Sequence, residues 1–383
     1  MRKLLIKRGT LLSPSSGYRN VVKDIYIEDG MIAKIDDEII NDESNIKVID
    51  ARGKIVTPGF IDIHTHCYPD TIIGLAPDVL GIERGSTSIL DAGSSGADNY
   101  EYFKEKYINT AKTKVFTLLN VSKEGLIRGR ELDAEEKIDV AALKRIVEKY
   151  GQNIVGLKAR ASASVVGDMG IAPIKRAAQI AKEIRKPLMI HVGNYPPALK
   201  EVLQLVDKGD IITHAYHGKK GGIFEEDGTI IREAITARDR GVLFDVGHGV
   251  ASFSLRVFEK ALKKGFDCDL ISTDLHKDNY EGPVYHLTAV GNKIIACGEK
   301  LEDVIEKCTS APATAFGLKN LGKIEAGYIA DFNIFDFIEC KQTVMDSIGD
   351  TITLQKKLKL NQTIYSRGNE SEIFEHITGK HDN

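Results

Sequence analysis

Between residue 58 and about residue 309, short apolar runs alternate with longer amphipathic ones, and the short runs number eight. They are "GFIDIHTH" (59–66), "TSILDAG" (87–93), "KVFTLLNVS" (114–122), "NIVGLKARAS" (153–162), "PLMIHVGN" (187–194), "DIITHAYHG" (210–218), "VLFDVGHG" (242–249) and "LISTDLH" (270–276). Brief apolar runs bounded by turn residues read as strands buried on both faces. The segments between them have a helical period. In 172–185, Ile174, Ala177, Ala178, Ala181 and Ile184 share one stripe, and Lys175, Arg176, Lys182 and Glu183 take the other side. Ahead of the fourth run, Asp133 followed by Glu136 predicts a capped start for a helix carrying Ala141, Leu143, Ile146 and Val147. Alternating strands and helices with both sheet faces covered predict an α/β chain with a parallel sheet. Eight units close most economically as a (β/α)8 TIM-like barrel over 58–310.

The flanks have a different period. "KLLIKRG", "VKDIYIEDGMIAKID" and "KVIDARGKIVTP", all within 1–57, alternate apolar and polar residues around Gly and Asn/Asp turns, as half-exposed antiparallel strands do. "LGKIEAGYIADFNIFD" (321–336) reads the same way. The expectation is one small β-sandwich built from 1–57 and 311–383, with the barrel inserted between them. Beyond about residue 360 the tail is polar and is expected to fray past one last strand or helix.

Composition narrows the function classes. A chain of 383 residues accommodates a barrel of about 250 residues and a smaller companion. A net charge of −3 gives no electrostatic case for nucleic acid or an anionic membrane. The five cysteines (67, 268, 297, 308, 340) are scattered and never in a C-x-x-C pair, which suggests reduced thiols and a cytoplasmic location. The opening "MRKLLIKRGTLLSPSSG" lacks the apolar core of a signal peptide, and no run approaches the roughly 20 apolar residues of a membrane span.

In barrels of this kind, chemistry sits where strands end and the following loops begin. The first run supplies His64 and His66, the fourth Lys158, the fifth His191, the sixth His214 and His217, the seventh Asp245 and His248, and the eighth Asp274. A spacing of two along a strand puts His64 and His66 on one face, a pairing that suits Zn²⁺ and similar divalent ions. Any single pair is more often two hydrogen-bonded core histidines. That reading weakens when His191 and His214 reach the same depth on further strands. Lys158 is the odd residue: a buried ammonium costs several kcal/mol unless it is paired or neutralised. Facing imidazoles and metal cations, it would lose its proton, and a neutral amine reacts with CO2 to give a carbamate able to bridge two metals. A snorkelling or ion-paired lysine is the bland alternative.

As a set, these residues resemble the amidohydrolase superfamily, and the resemblance covers nearly the whole chain, from "TPGFID" to "LGKIEAGYIADFNIFD". "GLKARAS", "HVGN", "ITHAYHGK", "FDVGHG", "ISTDLH" and "GPVY" are similar to an amidohydrolase/deacetylase subgroup whose members carry dihydroorotase-like or adenine-deaminase-like labels. Carried over residue by residue, the resemblance implies two divalent metals, zinc by expectation. His64, His66 and Asp274 would hold the more buried metal, and His191 and His214 the exposed one, with carboxylated Lys158 between them. A bridging hydroxide would attack the scissile carbonyl, with Asp274 shuttling the proton. The implied substrate is a small carboxylate-bearing compound with an acyl, above all acetyl, ester or amide. Such folds often form homo-oligomers.

Substrate contacts are more open. Arg160 shares the Lys158 face and could clamp a carboxylate, or be a surface or helix-capping arginine. His248, between glycines, is expected to touch substrate or transition state, with Asp245 as its structural partner. His217 stands where the family pattern leads one to expect asparagine, and could contact substrate, replace a ligand or lie in a loop. Cys67 alternates away from the histidine face and is expected to be a buried thiol. His276, His286, His376 and His381 are assigned structural places. A cyclic amidase of the dihydroorotase kind or an adenine deaminase would share the metal site, and Arg160 argues against a neutral purine. A non-catalytic scaffold relative would be free to lose ligands, yet all six ligand positions are filled.

Overall fold

A computed structural model describes residues 1–40 and 45–376. Seven parallel strands, β6 (Phe60–Thr65), β7 (Ser86–Ala92), β8 (Lys114–Asn120), β9 (Ile154–Ala161), β10 (Leu188–Val192), β11 (Ile211–Thr213) and β12 (Leu243–Phe244), pair in chain order in one sheet. The eighth apolar run does not form a strand. It still curls the sheet closed, because single parallel bridges link Leu270 to Asp245 and Leu275 to Thr65. The ladder fails there for a local reason. Ser272 and Thr273 turn their hydroxyls onto the buried carboxylates of Asp245 (2.7 Å) and Asp62 (2.5 Å), and Asp274 adopts φ 54°. Hydroxyl bonding of this kind competes with sheet pairing.

The helix expected over 172–185 runs Ala172–Ile184 and buries Ile174, Ala177, Ile180 and Ala181. The one expected after Asp133 starts later, at Val140, and ends at Tyr150. Its cap is Asp139, whose carboxylate accepts from the Ala142 N–H at 2.9 Å. Asp133 is spent on Lys137 (2.6 Å) and Arg130 (3.1 Å), so it cannot act as the cap. Inside the curl, Ile61, Ile63, Leu90, Leu118, Met189 and Ile211 pack together, closed from below by Phe316, Leu318 and Leu321. Outside it, helix faces cover the strands with a larger core.

The chain ends build a second, eight-stranded sheet from β1 (Lys3–Ser13), β2 (Tyr18–Glu28), β3 (Met31–Asp36), β4 (Lys47–Asp50), β5 (Ile55–Pro58), β13 (Phe332–Met345), β14 (Thr351–Arg367) and β15 (Glu370–Glu375). The two ends meet where β5 pairs antiparallel with β13, Pro58 opposite Phe332. The strand expected over 321–336 begins only at Phe332; before it, Ile329 makes a single bridge to Met31. This sheet has its own apolar core, including Leu4, Ile6, Ile25, Val56, Phe332 and Ile364. The polar tail contributes a last strand, and His381 lies outside the described residues. The β13–β14 turn reaches back over the curled sheet. Asp346 accepts from the Leu255 N–H (2.9 Å) and Ser347 Oγ from the Phe253 N–H (2.7 Å). Among the described residues no helix is long and apolar enough to cross a membrane.

Candidate metal centre

The C-terminal ends of the curled strands converge on a buried polar cluster. β6 delivers His64 and His66 on one face, and ligand atoms of these two and of Asp274 lie within 4.8 Å of one another. Asp274 Oδ1 stands 3.1 Å from His66 Nε2 and 3.3 Å from His64 Nε2, and its Oδ2 is 3.8 Å from His214 Nε2. The His191 and His214 rings lie 4.3 Å apart, and the His214 ring is 5.0 Å from that of His64. Lys158, one of the largest fully buried side chains, places Nζ 2.9 Å from His64 Nε2 and 3.3 Å from Met189 Sδ. No carboxylate lies within ion-pair distance of Lys158 among the described contacts. All six residues expected at the metal site are thus brought to one rim.

Their outer partners give the histidines direction. Nδ1 of His64 meets Thr213 Oγ1 (2.9 Å), Nδ1 of His66 meets Ser94 Oγ (3.0 Å), and Nδ1 of His214 donates to the Gly247 carbonyl (2.5 Å). Each ring therefore turns Nε2 inward, the arrangement by which neighbouring groups orient metal-binding imidazoles. Thr213 is itself anchored on Asp245 (2.6 Å). His214 and Asp274 both sit at positive φ, 64° and 54°, strain that clusters at functional sites. Glycine is required beside Lys158: at Gly93, φ 82°, an added Cβ would come within 2.7 Å of the Lys158 stem.

Burial sets the protonation states. It lowers His64 well below its ordinary value, helped by Lys158, and lowers His191 likewise, helped by His214. His214 falls to about 4 and Lys158 to about 7, again chiefly through burial. Burial alone would raise Asp274, but His64 and the hydrogen bond to His66 prevail and hold it well below the carboxylate range. The result is neutral imidazoles at His64, His191 and His214, an ionised carboxylate and a lysine poised to be an amine. His214 Nε2 is buried with no hydrogen-bond partner. An inward lone pair left unmatched costs free energy that a bound cation would remove, so the donor set fits a divalent metal.

The remaining candidates separate. Arg160 grips Glu131 with two bonds, Nε to Oε1 at 2.5 Å and Nη2 to Oε2 at 2.6 Å. His217 is buried and accepts from the Lys219 N–H at 3.1 Å, beside Ala161 and Gly221. His248 has both nitrogens engaged: Nδ1 donates to the Gly249 carbonyl (3.0 Å) and Nε2 accepts from Lys293 Nζ (3.0 Å). Asp245 is not its partner, as had been expected, because that carboxylate is taken up by Thr213 and Ser272. Cys67 is a buried thiol pushed well up by burial. His276 and His286 accept from backbone N–H groups of Asp278 and Ala289, and His376 pairs with Thr363. Sequence reasoning missed Glu131, whose loop offers several equivalent acids. It also missed Lys293, although a lysine on the buried face of the helix Leu287–Ala296 was a signal of the same kind as Lys158.

Comparison with known proteins agrees with this geometry. A model described as "Amidohydrolase family" matches residues 55–366. A deacetylase of Enterococcus faecalis is 39% identical over 316 residues, covering 82% of this chain and 85% of that protein. A solved adenine deaminase superposes with a TM-score of 0.90 at 36% identity, covering 98% of this chain and 100% of the other. A solved dihydroorotase does so at 0.89 and 31%, covering 98% of each. With a family match across most of its length and the polar cluster at the strand ends, the chain belongs to the amidohydrolase family of metal-dependent hydrolases.

Proposed function

We propose that this enzyme is a deacetylase acting on a small carboxylate-bearing compound, with an acetyl ester or amide as the bond cleaved. The observation that carries the hydrolytic part is the inward convergence of three Nε2 atoms on an ionised Asp274 beside Lys158, which has no carboxylate partner among the described residues and is lowered by burial to about 7. The acetyl part rests on the likeness to a deacetylase and on Arg160. Two divalent metals, zinc by preference, would be held by His64, His66 and Asp274 and by His191 and His214. When bound, such ions supply an activated water and polarise the substrate carbonyl.

The chain's own groups do the rest. Lys158, deprotonated, would add CO2 at Nζ, releasing one proton and gaining a carboxylate that completes both sites. Asp274 would accept the proton of the attacking water and pass it to the leaving oxygen or nitrogen. Arg160 keeps Nη1 for a substrate carboxylate while Glu131 fixes its plane. His217, buried at the mouth, would line the acyl pocket, and His248 would act through the turn it holds. The terminal sheet is proposed to be a small β-sandwich formed by 1–57 and 311–383 around the barrel domain 58–310, in a cytoplasmic homo-oligomer.

The test combines metal analysis, intact-protein mass for a CO2 adduct on Lys158, and a screen of N-acetyl and O-acetyl amino and hydroxy acids in both stereochemical series. About two equivalents of metal and turnover of an acetylated acid are expected. Turnover of a cyclic ureide or adenine, with every acetylated acid inert, would replace the deacetylase reading by the cyclic amidase or adenine deaminase one. Less than one equivalent of metal after careful purification would count against hydrolysis altogether.

A further inference from the structure

Lys293 is 2% exposed and sits on the inner face of the helix Leu287–Ala296, yet its two described hydrogen bonds go to neutral acceptors. One runs to the Pro283 carbonyl at 2.7 Å, the other to His248 Nε2 at 3.0 Å. The second, together with a carbonyl across the ring, fixes a proton. On its far side the imidazole meets a carbonyl, Gly249 O at 3.0 Å, which can only accept, so Nδ1 carries the hydrogen and Nε2 is the acceptor. This holds whether Lys293 is an ammonium or an amine, since both donate. His248 therefore has no ring nitrogen left for a proton-transfer step.

What His248 holds is the turn it belongs to. Its own N–H donates to the Ser272 carbonyl (3.2 Å) and that of Gly249 to Thr273 (2.9 Å), stitching the turn to the segment that ends in Asp274. Three residues before it, Asp245 anchors Thr213, and one residue before it the Gly247 carbonyl accepts from His214 Nδ1. One residue after it, Gly249 packs so closely that an added Cβ would come within 2.7 Å of Asp274 Oδ2. A displacement of the turn would move His214 and Asp274 together. The hairpin turn of β13–β14 braces the same loop, through Ser347 Oγ on the Phe253 carbonyl at 2.8 Å.

We propose that Lys293 is a positioning residue for the hydrolytic centre: by donating to His248 Nε2 it locks the Nδ1–H tautomer and so sets the 247–249 turn against which His214 and Asp274 lean. This rests on the hydrolytic reading of the cluster, and it adds a residue that makes no contact with metal ligand or substrate. Groups of this kind, acting one step behind the ligands, typically change metal affinity or activity by about 10–100-fold.

Lys293 also lines a cavity of about 860 Å³, bounded by Pro283, Asn292, Met345 and Leu358 as well. A small amine can therefore reach the place a shortened side chain vacates. The test uses the metal-loaded enzyme and the variants Lys293→Met and Lys293→Ala, with ¹⁵N-histidine spectra and steady-state kinetics on one substrate. The wild type should show His248 as the Nδ1–H tautomer. In Lys293→Met that signature should shift toward mixed or Nε2–H character, with kcat lower by about 10–100-fold and KM changed less than threefold. In Lys293→Ala, added propylamine should recover at least a tenth of kcat, whereas propanol should not. An unchanged tautomer in a folded Lys293→Met protein would overturn the proposal, as would full kcat in that variant. The spectrum needs no substrate, so a tautomer shift alongside failure of every acetylated acid would sink the deacetylase reading and leave the positioning role intact.

Discussion

The bidentate pair between Arg160 and Glu131 supports a prediction whose two halves differ in size. Glu131 is buried to 2% side-chain exposure, while Arg160 retains 22%. Replacing Arg160 by alanine leaves a buried carboxylate without its partner, a loss in the range of about 3–5 kcal/mol; with water near the guanidinium side, we expect about 3 kcal/mol. Replacing Glu131 by alanine leaves a cation that can turn to solvent, and the expected cost is about half as large, roughly 1–2 kcal/mol. The double variant should be less destabilised than the sum, because each single change strands the other partner. Urea unfolding of the metal-loaded proteins reads these differences. Kinetics supply the functional half. A charge-assisted bond to a substrate carboxylate is worth roughly 1.5–3 kcal/mol, so Arg160→Ala should raise KM for an acetylated acid by roughly 10–100-fold. KM for the corresponding neutral primary amide should hardly move. Equal stability losses for the two single variants, with additive energies, would refute the buried-clamp argument. An unchanged preference for acid over amide would refute the assignment of Arg160 to substrate.

Four further outcomes follow from the cluster. Lys158 has its pKa lowered to about 7, so its reactive amine form is lost tenfold per pH unit below that value and saturates above it. Reconstitution of metal-free protein with metal and bicarbonate should therefore go further at pH 8 than at pH 6, read as the mass of the adduct and as activity, and a flat response would remove the carbamate argument. Lys158→Ala should lose metal and activity and regain part of each with short carboxylic acids, as measured by metal analysis and turnover. Asp274→Asn should leave the fold intact by circular dichroism yet lower kcat by about 10²–10⁴-fold, the range for losing a positioned proton acceptor; a fall of less than tenfold would move the shuttle elsewhere. Gly93→Ala should fail to load metal at wild-type affinity in a titration, because its Cβ would press on the Lys158 stem.

How much of this was readable in the chain depends on what each residue answers to. The barrel strands and the helix Ala172–Ile184 answer to hydrophobic periodicity, a local property, and they stand where the pattern put them. The eighth run fails as a strand because its hydroxyls answer to carboxylates on neighbouring segments, Asp62 and Asp245, which no window over "LISTDLH" contains. Asp133 as a helix cap fails for a local reason: Lys137 and Arg130, within four residues of it, take up its carboxylate instead of the backbone. The six residues of the cluster could be gathered because each lies in one of the eight apolar runs toward its C-terminal end, so that fold class alone implies a shared rim. Glu131, in a loop, has no such coordinate.

Lys293 shows the limit most clearly. It breaks the apolar face of its helix as Lys158 breaks its strand, and burial lowers both to about 7. One anomaly could be interpreted because the fold told which residues it would face; the other could not, because the partner it faces, His248, lies on a turn whose path depends on Gly247 and Gly249 at positive φ. A buried charge in a sequence thus announces that a partner exists. Only the backbone that carries the partner says whether the pair reacts or, as at Lys293 and His248, holds a reacting pair in place.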